Sequence, residues 1–420
     1  MTTTTRNIEE TLAAAAQARQ RGDAAGERDI LDAALRHGAN DPRLHNARGM
    51  RALTDQDFAV AKASFAAASA ADPTEPALLL NLATACRAAG DDEGERQALQ
   101  AALDIDRRHF IALLRTAELH ERLGEAVAAA QAWSHVVQLA SAMTERPPRV
   151  EEALRHGQAF IAQHNGELAV AVEAELGAQM AAMGPAARRF SACIDHCLGR
   201  RRIYQNECAG LYYPFLPADE FFDRSHFPWF AELEARSAAI RDEALALLAG
   251  GNAAIRPYVR QDAGTPENKW STLDHSLDWS ACFLWEYGVK NAAVCALCPE
   301  TAAALDAIPQ NRVPGKAPSA FFSILKPGAH IPAHTGVTNT RAIVHLPLVV
   351  PPGCSFRVGG ETREWRVGEA FAFDDTIEHE AWNRSDEPRV VLILDVWNPY
   401  LDAAEQDLLA RFFDLTTRDQ

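Results

Sequence analysis

Three histidines and an arginine, His330, His334, Arg341 and His345, stand in the stretch HIPAHTGVTNTRAIVHLPLVV (330–350), which otherwise reads as buried, β-branched strand. Burying polar groups is costly unless each finds a partner, so their presence calls for a chemical reason. His334 and a further histidine, His379, each lie at the end of such a run, about three strands of chain apart. That separation lets antiparallel strands bring two imidazoles to one metal. Facial iron(II) sites add a carboxylate, usually two residues after the first histidine, and here that place is held by Gly336. Arg389 opens the last apolar run, where a guanidinium can hold a carboxylate bidentately. Arg341 and His345 share the parity of one strand face and so can point into one cavity.

Other groups carry weaker signals. Cys295 and Cys298, in CALCP, have zinc-like spacing but no second pair at a suitable distance. Cys193, His196 and Cys197 read as one helix face, and Trp279, Trp285, Trp365 and Trp397 read as core rather than as a substrate platform. No phosphate loop or nucleotide fingerprint is present. Eight cysteines scattered over 420 residues fit reduced thiols.

The net charge of −16 argues against nucleic-acid binding, the only basic candidate being GRRR at 199–202. MTTTTRNIEETLAAAA lacks a secretory pattern, and no apolar run approaches the ~20 residues of a membrane span. The expectation is a cytoplasmic protein of two or three domains with no membrane span and no nucleic-acid partner.

The elements that must position the histidines come late in the chain. The first third is alanine-rich and repeats with a period of 34: Gly22, Gln56, Gly90 and Gly124 form one column, followed by Asp23, Asp57, Asp91 and Glu125. Leu31, Phe65, Leu99 and Trp133 form a large apolar column, and Ala15, Gly49, Ala83 and Ala117 a small one. Small residues let paired helices approach, and the Gly-Asp step marks the turn between them. This pattern resembles the tetratricopeptide repeat over residues 8–140, which implies a solenoid whose concave face holds a peptide or protein. TERPPR (144–149) interrupts it, and a helical linker is expected over 141–199. Beyond residue 200 a helical piece leads into short apolar runs, AFFSILK, TRAIVHLPLVV, CSFRVGG, ETREWRV, AFAFDD, HEAWNR and RVVLILDVW, spaced as in an antiparallel sandwich or barrel. A C-terminal helix or tail occupies 403–420. The fold class is therefore α+β multidomain.

PGAHIPAHTGVTNTRAIVHLPLVVPPGC, FDDTIEHEAWN and DVWNP together resemble the aspartyl/asparaginyl β-hydroxylase family over residues 200–402, glycine in HTG included. The resemblance implies a double-stranded β-helix (jelly-roll) with flanking helices, and an iron(II)- and 2-oxoglutarate-dependent dioxygenase consuming O2. It makes His334 and His379 the iron ligands and puts Asp375 near iron and substrate. It puts Ser323 and Arg389 at the distal carboxylate of 2-oxoglutarate, and His345 at the carboxylate nearer the metal. Animal members have an arginine two residues before the match to His345. Here that residue is Ile343, and Arg341 on the same face stands in as a candidate cosubstrate contact. The implied reaction is hydroxylation of a C–H bond, foremost the β-carbon of Asp or Asn in a protein or peptide held by the repeats. The alternatives are a hydroxylase of a small molecule or lipid, a non-catalytic repeat protein, and a halogenase with chloride beside Gly336. If water takes that place instead, an aspartate at 336 is expected to restore a facial carboxylate.

Overall fold

The structure, a computed structural model, describes residues 3–37, 40–251 and 253–417, and the chain divides into two compact units, Met1–Leu198 and Gly199–Gln420.

The first unit is helical. Helices α1 (Thr3–Gln20), α2 (Ala24–Arg36), α3 (Pro42–Thr54), α4 (Phe58–Ala71), α5 (Pro76–Ala88), α6 (Asp92–Ile105), α7 (Phe110–Arg122) and α8 (Ala126–Ser141) pack as four successive hairpins. The columns in the sequence explain them. Gly22, Gly90 and Gly124 take left-handed backbone at the turns, with φ of 75°, 73° and 71°, and Gln56 is held there too at 62° despite its side chain. Asp23, Asp57 and Asp91 then cap the following helices, each accepting from a backbone N–H one turn in. Leu31, Phe65, Leu99 and Trp133 are at most 2% exposed, each burial stabilising by roughly 2–3 kcal/mol. At Gly49 an added Cβ would lie 2.6 Å from Phe65 Cε1, which is why that column is small. Helices α9 (Pro148–Met183) and α10 (Arg188–Cys197) complete the unit.

The second unit layers helices on two antiparallel sheets. Its helices are α11 (Phe230–Ala235), α12 (Ser237–Ala249), α13 (Ala292–Leu297), α14 (Pro299–Ala307) and α15 (Ala403–Thr417); residues 418–420 of the expected tail lie outside the described residues. Its strands are β1 (Arg256–Pro257), β2 (Trp279–Glu286), β3 (Val289–Lys290), β4 (Ala320–Leu325), β5 (His330–His334), β6 (Arg341–Val349), β7 (Cys354–Val358), β8 (Glu361–Arg363), β9 (Phe371–Phe373), β10 (His379–Asn383) and β11 (Arg389–Trp397). The larger sheet runs β1-β2-β4-β11-β6-β9 with β3 on β2, and the smaller runs β5-β10-β7-β8. Each apolar run named from the sequence becomes a strand, and β2, not among those runs, ends at the Tyr287-Gly288 turn into β3.

The alternation along β11 decides where chemistry goes. Val390, Leu392, Leu394 and Val396 pack against the helices in one core, together with Ile240, Ala244 and Leu305. The other parity, Arg389, Val391, Ile393 and Asp395, faces the smaller sheet, where Val391 joins Leu325, Ile331, Phe356 and Ala381 in a second core. Because side chains alternate with a period of two, a one-residue slip of this strand would exchange the charged set for the apolar one. The apolar parity therefore fixes the register that points Arg389 and Asp395 inward.

Candidate active site

A cavity of about 580 Å³ opens between the sheets, lined by His334, His379, Arg341, His345, Asp375, Ser323 and Arg389. These seven sequence-predicted site residues thus reach one space, whereas His330, singled out with them, lies outside the cavity lining, exposed, 3.1 Å from Glu380 and stacked on Trp382. Strands β5 and β10 are paired with His334 opposite His379, and the imidazole centroids are 4.0 Å apart. His334 Nδ1 lies 2.8 Å from the Pro332 carbonyl and His379 Nδ1 lies 3.0 Å from that of Ile377. A carbonyl only accepts, so each Nδ1 carries the proton and donates it, and each Nε2 keeps its lone pair. Burial pushes the His334 pKa down to about 3, with His379 adding to the effect. Burial likewise lowers His379 to about 4. Both rings are neutral at pH 7.

Asp375 is 6% exposed; its Oδ2 accepts from Arg341 Nη2 at 2.7 Å, and its Oδ1 is buried with no hydrogen-bond partner. Arg341 Nη1 also lies 3.6 Å from Asp395 Oδ2. Burial raises Asp395 to about 6, against the pull of Arg341. Arg341 is thus engaged by two carboxylates, an arrangement the sequence did not suggest.

Gly336 sits on Asp375. Its N–H donates to the Asp375 carbonyl at 2.6 Å, and a Cβ placed there would come within 3.0 Å of all three carboxylate atoms. The expectation that an aspartate at 336 restores a facial carboxylate is corrected by this contact, because the space belongs to Asp375.

Arg389 lies at the deep end, 1% exposed, with Nη1 donating to Ser323 O at 3.3 Å and to Ser323 Oγ at 3.2 Å, and with Nε unpartnered. Ser323 Oγ also accepts from Trp279 Nε1 at 3.1 Å. Among the described residues no carboxylate forms an ion pair with Arg389, and burial pulls its pKa down to about 10. His345, nearby and also buried, is held well below its usual range by burial and by the Arg389 charge.

The sequence reading missed several contributors. Trp270 meets the His334 ring edge-on at 4.9 Å, and Trp279 and Trp365, which belong to the second core as their sequence reading has it, line the cavity as well. A strap formed by residues 206–213 crosses the two loops beside the histidines, the one after β5 and the one before β10. Ala209 and Gly210 donate to the carbonyls of Gly336 and Val337 at 3.0 and 2.8 Å, Glu207 N donates to Thr376 O at 2.8 Å, and Asn206 Nδ2 donates to Asp374 Oδ2 at 2.7 Å. No periodicity marks such a segment. Cys295 and Cys298 are buried free thiols, and Cys193 and Cys197 are exposed ones. Among the described residues no group of three or more His, Cys, Asp or Glu side chains is arranged to hold a metal.

An iron(II) ion fits this donor set: two neutral imidazoles with unprotonated Nε2 atoms beside a buried carboxylate oxygen that lacks a donor. The two rings would be its protein ligands.

Residues 234–399 match the family model described as aspartyl/asparaginyl beta-hydroxylase. The chain is 37% identical over 196 residues to the ornithine lipid ester-linked acyl 2-hydroxylase of Rhizobium tropici, covering 46% of this chain and 66% of that protein. It is 35% identical over 170 residues to the human aspartyl/asparaginyl beta-hydroxylase, covering 40% of this chain and 21% of that protein. With the aspartate beta-hydroxylase domain-containing protein 2 of Rattus norvegicus it shares 33% over 207 residues, 48% of this chain and 57% of that one. The chain therefore spans less than two thirds of each of these relatives. Among solved structures, a tetratricopeptide repeat protein from Parabacteroides merdae ATCC 43184 aligns with a TM-score of 0.34 and 17% identity, over 46% of this chain and 75% of that one.

Proposed function

Because residues 234–399 belong to the aspartyl/asparaginyl β-hydroxylase family, we propose that this protein is an iron(II)- and 2-oxoglutarate-dependent dioxygenase that hydroxylates a C–H bond, foremost the β-carbon of an aspartyl or asparaginyl residue in a polypeptide. The observation that carries this reading is Arg389. A guanidinium that is 1% exposed and without an anionic partner is costly to bury, and an entering dicarboxylate would supply the missing charge. Placed on Arg389 and Ser323, the far carboxylate would direct the 2-oxo acid end back along the cavity past His345 towards His334 and His379. The two facing antiparallel sheets support reading this unit as a double-stranded β-helix.

Iron held by the two Nε2 atoms would supply dioxygen activation, coupled to oxidative decarboxylation of 2-oxoglutarate to succinate and CO2. The chain's own residues do the remaining work. The carbonyls of Pro332 and Ile377 hold both imidazoles in the ligating tautomer. Asp375 Oδ1 is the acceptor beside them, oriented by the Arg341 pair. Trp270, Trp279, Phe356 and Phe373 exclude water, which limits side reactions. The repeat unit would hold the polypeptide remote from the chemistry and raise its local concentration.

A lipid acyl chain is the second reading. It is favoured by the aromatic wall of Tyr258, Phe283 and Phe321, whose ring centroids lie 4.7–6.4 Å apart along the cavity, and by the relative whose name states acyl 2-hydroxylation. The test is anaerobic titration of the full chain with iron(II) and 2-oxoglutarate. Oxygen is then admitted in the presence of an Asp/Asn peptide library or of acylated lipids, with succinate and the product mass recorded. Succinate release with a gain of one oxygen in the peptides supports the first reading. The same gain in lipid only supports the second, and no cosubstrate binding sinks both.

A further inference from the structure

Trp365 lies just beyond β8 and is 5% exposed. Its indole Nε1–H donates to His345 Nδ1 at 3.3 Å. Indole nitrogen can only donate, so His345 Nδ1 must present its lone pair, and the single proton of the neutral ring sits on Nε2. The same indole carries the Arg389 guanidinium over its face, with Cζ 4.9 Å from the ring centroid, and stacks on Phe356 at 5.5 Å and 21°. One side chain thus touches both the histidine and the arginine at the deep end of the cavity.

We propose that Trp365 is a positioning residue of the cosubstrate subsite: it fixes His345 as an Nε2–H donor and holds the Arg389 guanidinium in plane, so that both present N–H groups to an entering dicarboxylate. This rests on the 2-oxoglutarate reading. With the opposite tautomer His345 would turn a lone pair towards a carboxylate oxygen, two acceptors facing each other. An imidazolium would require a proton on Nδ1, where the indole N–H already points. Trp365 therefore leaves His345 a single protonation state that suits an anion, while the cation–π contact steadies a charge with few other partners.

The experiment uses the full chain loaded with Zn(II), a diamagnetic stand-in for iron, and its Trp365→Phe variant, which keeps a ring and loses the N–H. Calorimetric titration with 2-oxoglutarate is expected to give about tenfold weaker binding in the variant with Zn(II) affinity unchanged. Imidazole 15N spectra should show His345 as the Nε2–H tautomer in the parent chain, and tautomer exchange in the variant. Variant affinity within twofold of the parent, or a Nδ1–H tautomer in the parent chain, overturns the proposal. The parent spectrum decides even where the variant does not fold. A parent chain that binds Zn(II) and no 2-oxoglutarate overturns the cosubstrate reading and this inference with it, an outcome distinct from failure of the variant alone.

Discussion

Gly336 and Asp375 occupy one place between them: the glycine N–H donates to the aspartate backbone carbonyl at 2.6 Å, and the aspartate carboxylate fills the volume that any side chain at 336 would need. Sequence reasoning notices a missing carboxylate at 336. The structure supplies a carboxylate from the other loop, four residues before His379. Gly336→Ala should therefore destabilise the chain by about 1–3 kcal/mol through overpacking. Gly336→Asp should be worse, since it also sets a second buried carboxylate against Asp375. Thermal melts and turnover of both variants check this, and an active Gly336→Asp protein would show that the loop yields.

The depressed pKa values of the histidine pair set how metal affinity responds to acid. Metal competes with protons for imidazole only where the ring would otherwise be protonated. Two ordinary histidines lose affinity as pH falls below about 6.5, by up to about a hundredfold per unit. Here His334 and His379 protonate only near pH 3 and pH 4, so affinity should stay flat from pH 8 down to about pH 5. In the metal-free protein the same depression means that the unfolded chain binds more protons, which lowers stability as pH falls from 6.5 towards 4. Asp374 and Asp395, raised to about 7 and about 6, act with the opposite sign, because their folded forms hold protons that the unfolded chain releases above pH 3.8. The net pH dependence of stability should therefore be shallow. His334→Ala or His379→Ala should abolish stoichiometric metal binding, as read by metal analysis after dialysis.

Arg389→Met separates stability from binding. Removing a buried, unpaired charge should stabilise the ligand-free chain by about 1–3 kcal/mol. The same change should weaken 2-oxoglutarate by roughly 2–5 kcal/mol, tens- to thousands-fold. Melting curves with and without 2-oxoglutarate read both: the variant should melt higher when free and gain little from the ligand. A variant that melts lower when free would show that Arg389 is structural.

Two truncations test the strap against the repeats. A chain beginning at residue 199 keeps residues 206–213 and should bind metal and 2-oxoglutarate like the full chain. With the repeats gone it should lose about tenfold or more in kcat/KM on a polypeptide substrate. A chain beginning at 214 loses Asn206, Glu207, Ala209 and Gly210 as donors to the two histidine loops, and metal affinity should fall as well. Equal metal affinity in the two would leave the strap without a part in the site.

Much of this architecture was legible in the residues. A left-handed turn column, a capping column and two packing columns specify helix hairpins, because each encodes a local rule that recurs every 34 residues. Parity along TRAIVHLPLVV and RVVLILDVW likewise puts Arg341, His345 and Arg389 on inward faces. What stayed hidden depends on distant partners. Nothing local shows that Arg341 is shared by Asp375 and Asp395, because that contact joins three strands or loops far apart in sequence. Trp365 reads as core and is core, but that its indole also bridges His345 and Arg389 leaves no mark in the sequence.

The strap has a consequence for how the second unit folds. Asn206 and Asp374, joined at 2.7 Å, are separated by 168 positions, so their contact closes a loop that spans about three quarters of the unit. Closing so long a loop costs chain entropy before any return, and contacts of that separation form late on the route to the native state. The loop after β5 and the loop before β10 are tied together by those late contacts. Pairing of β5 with β10 already sets the two imidazoles opposite each other, so what the late contacts add, after both sheets exist, is the fixing of the adjoining loops at Gly336, Val337, Asp374 and Thr376. A chain stalled short of that step would hold a nearly complete core with the imidazoles opposed and would bind metal weakly, so the gain in metal affinity during refolding times the end of the process rather than its beginning.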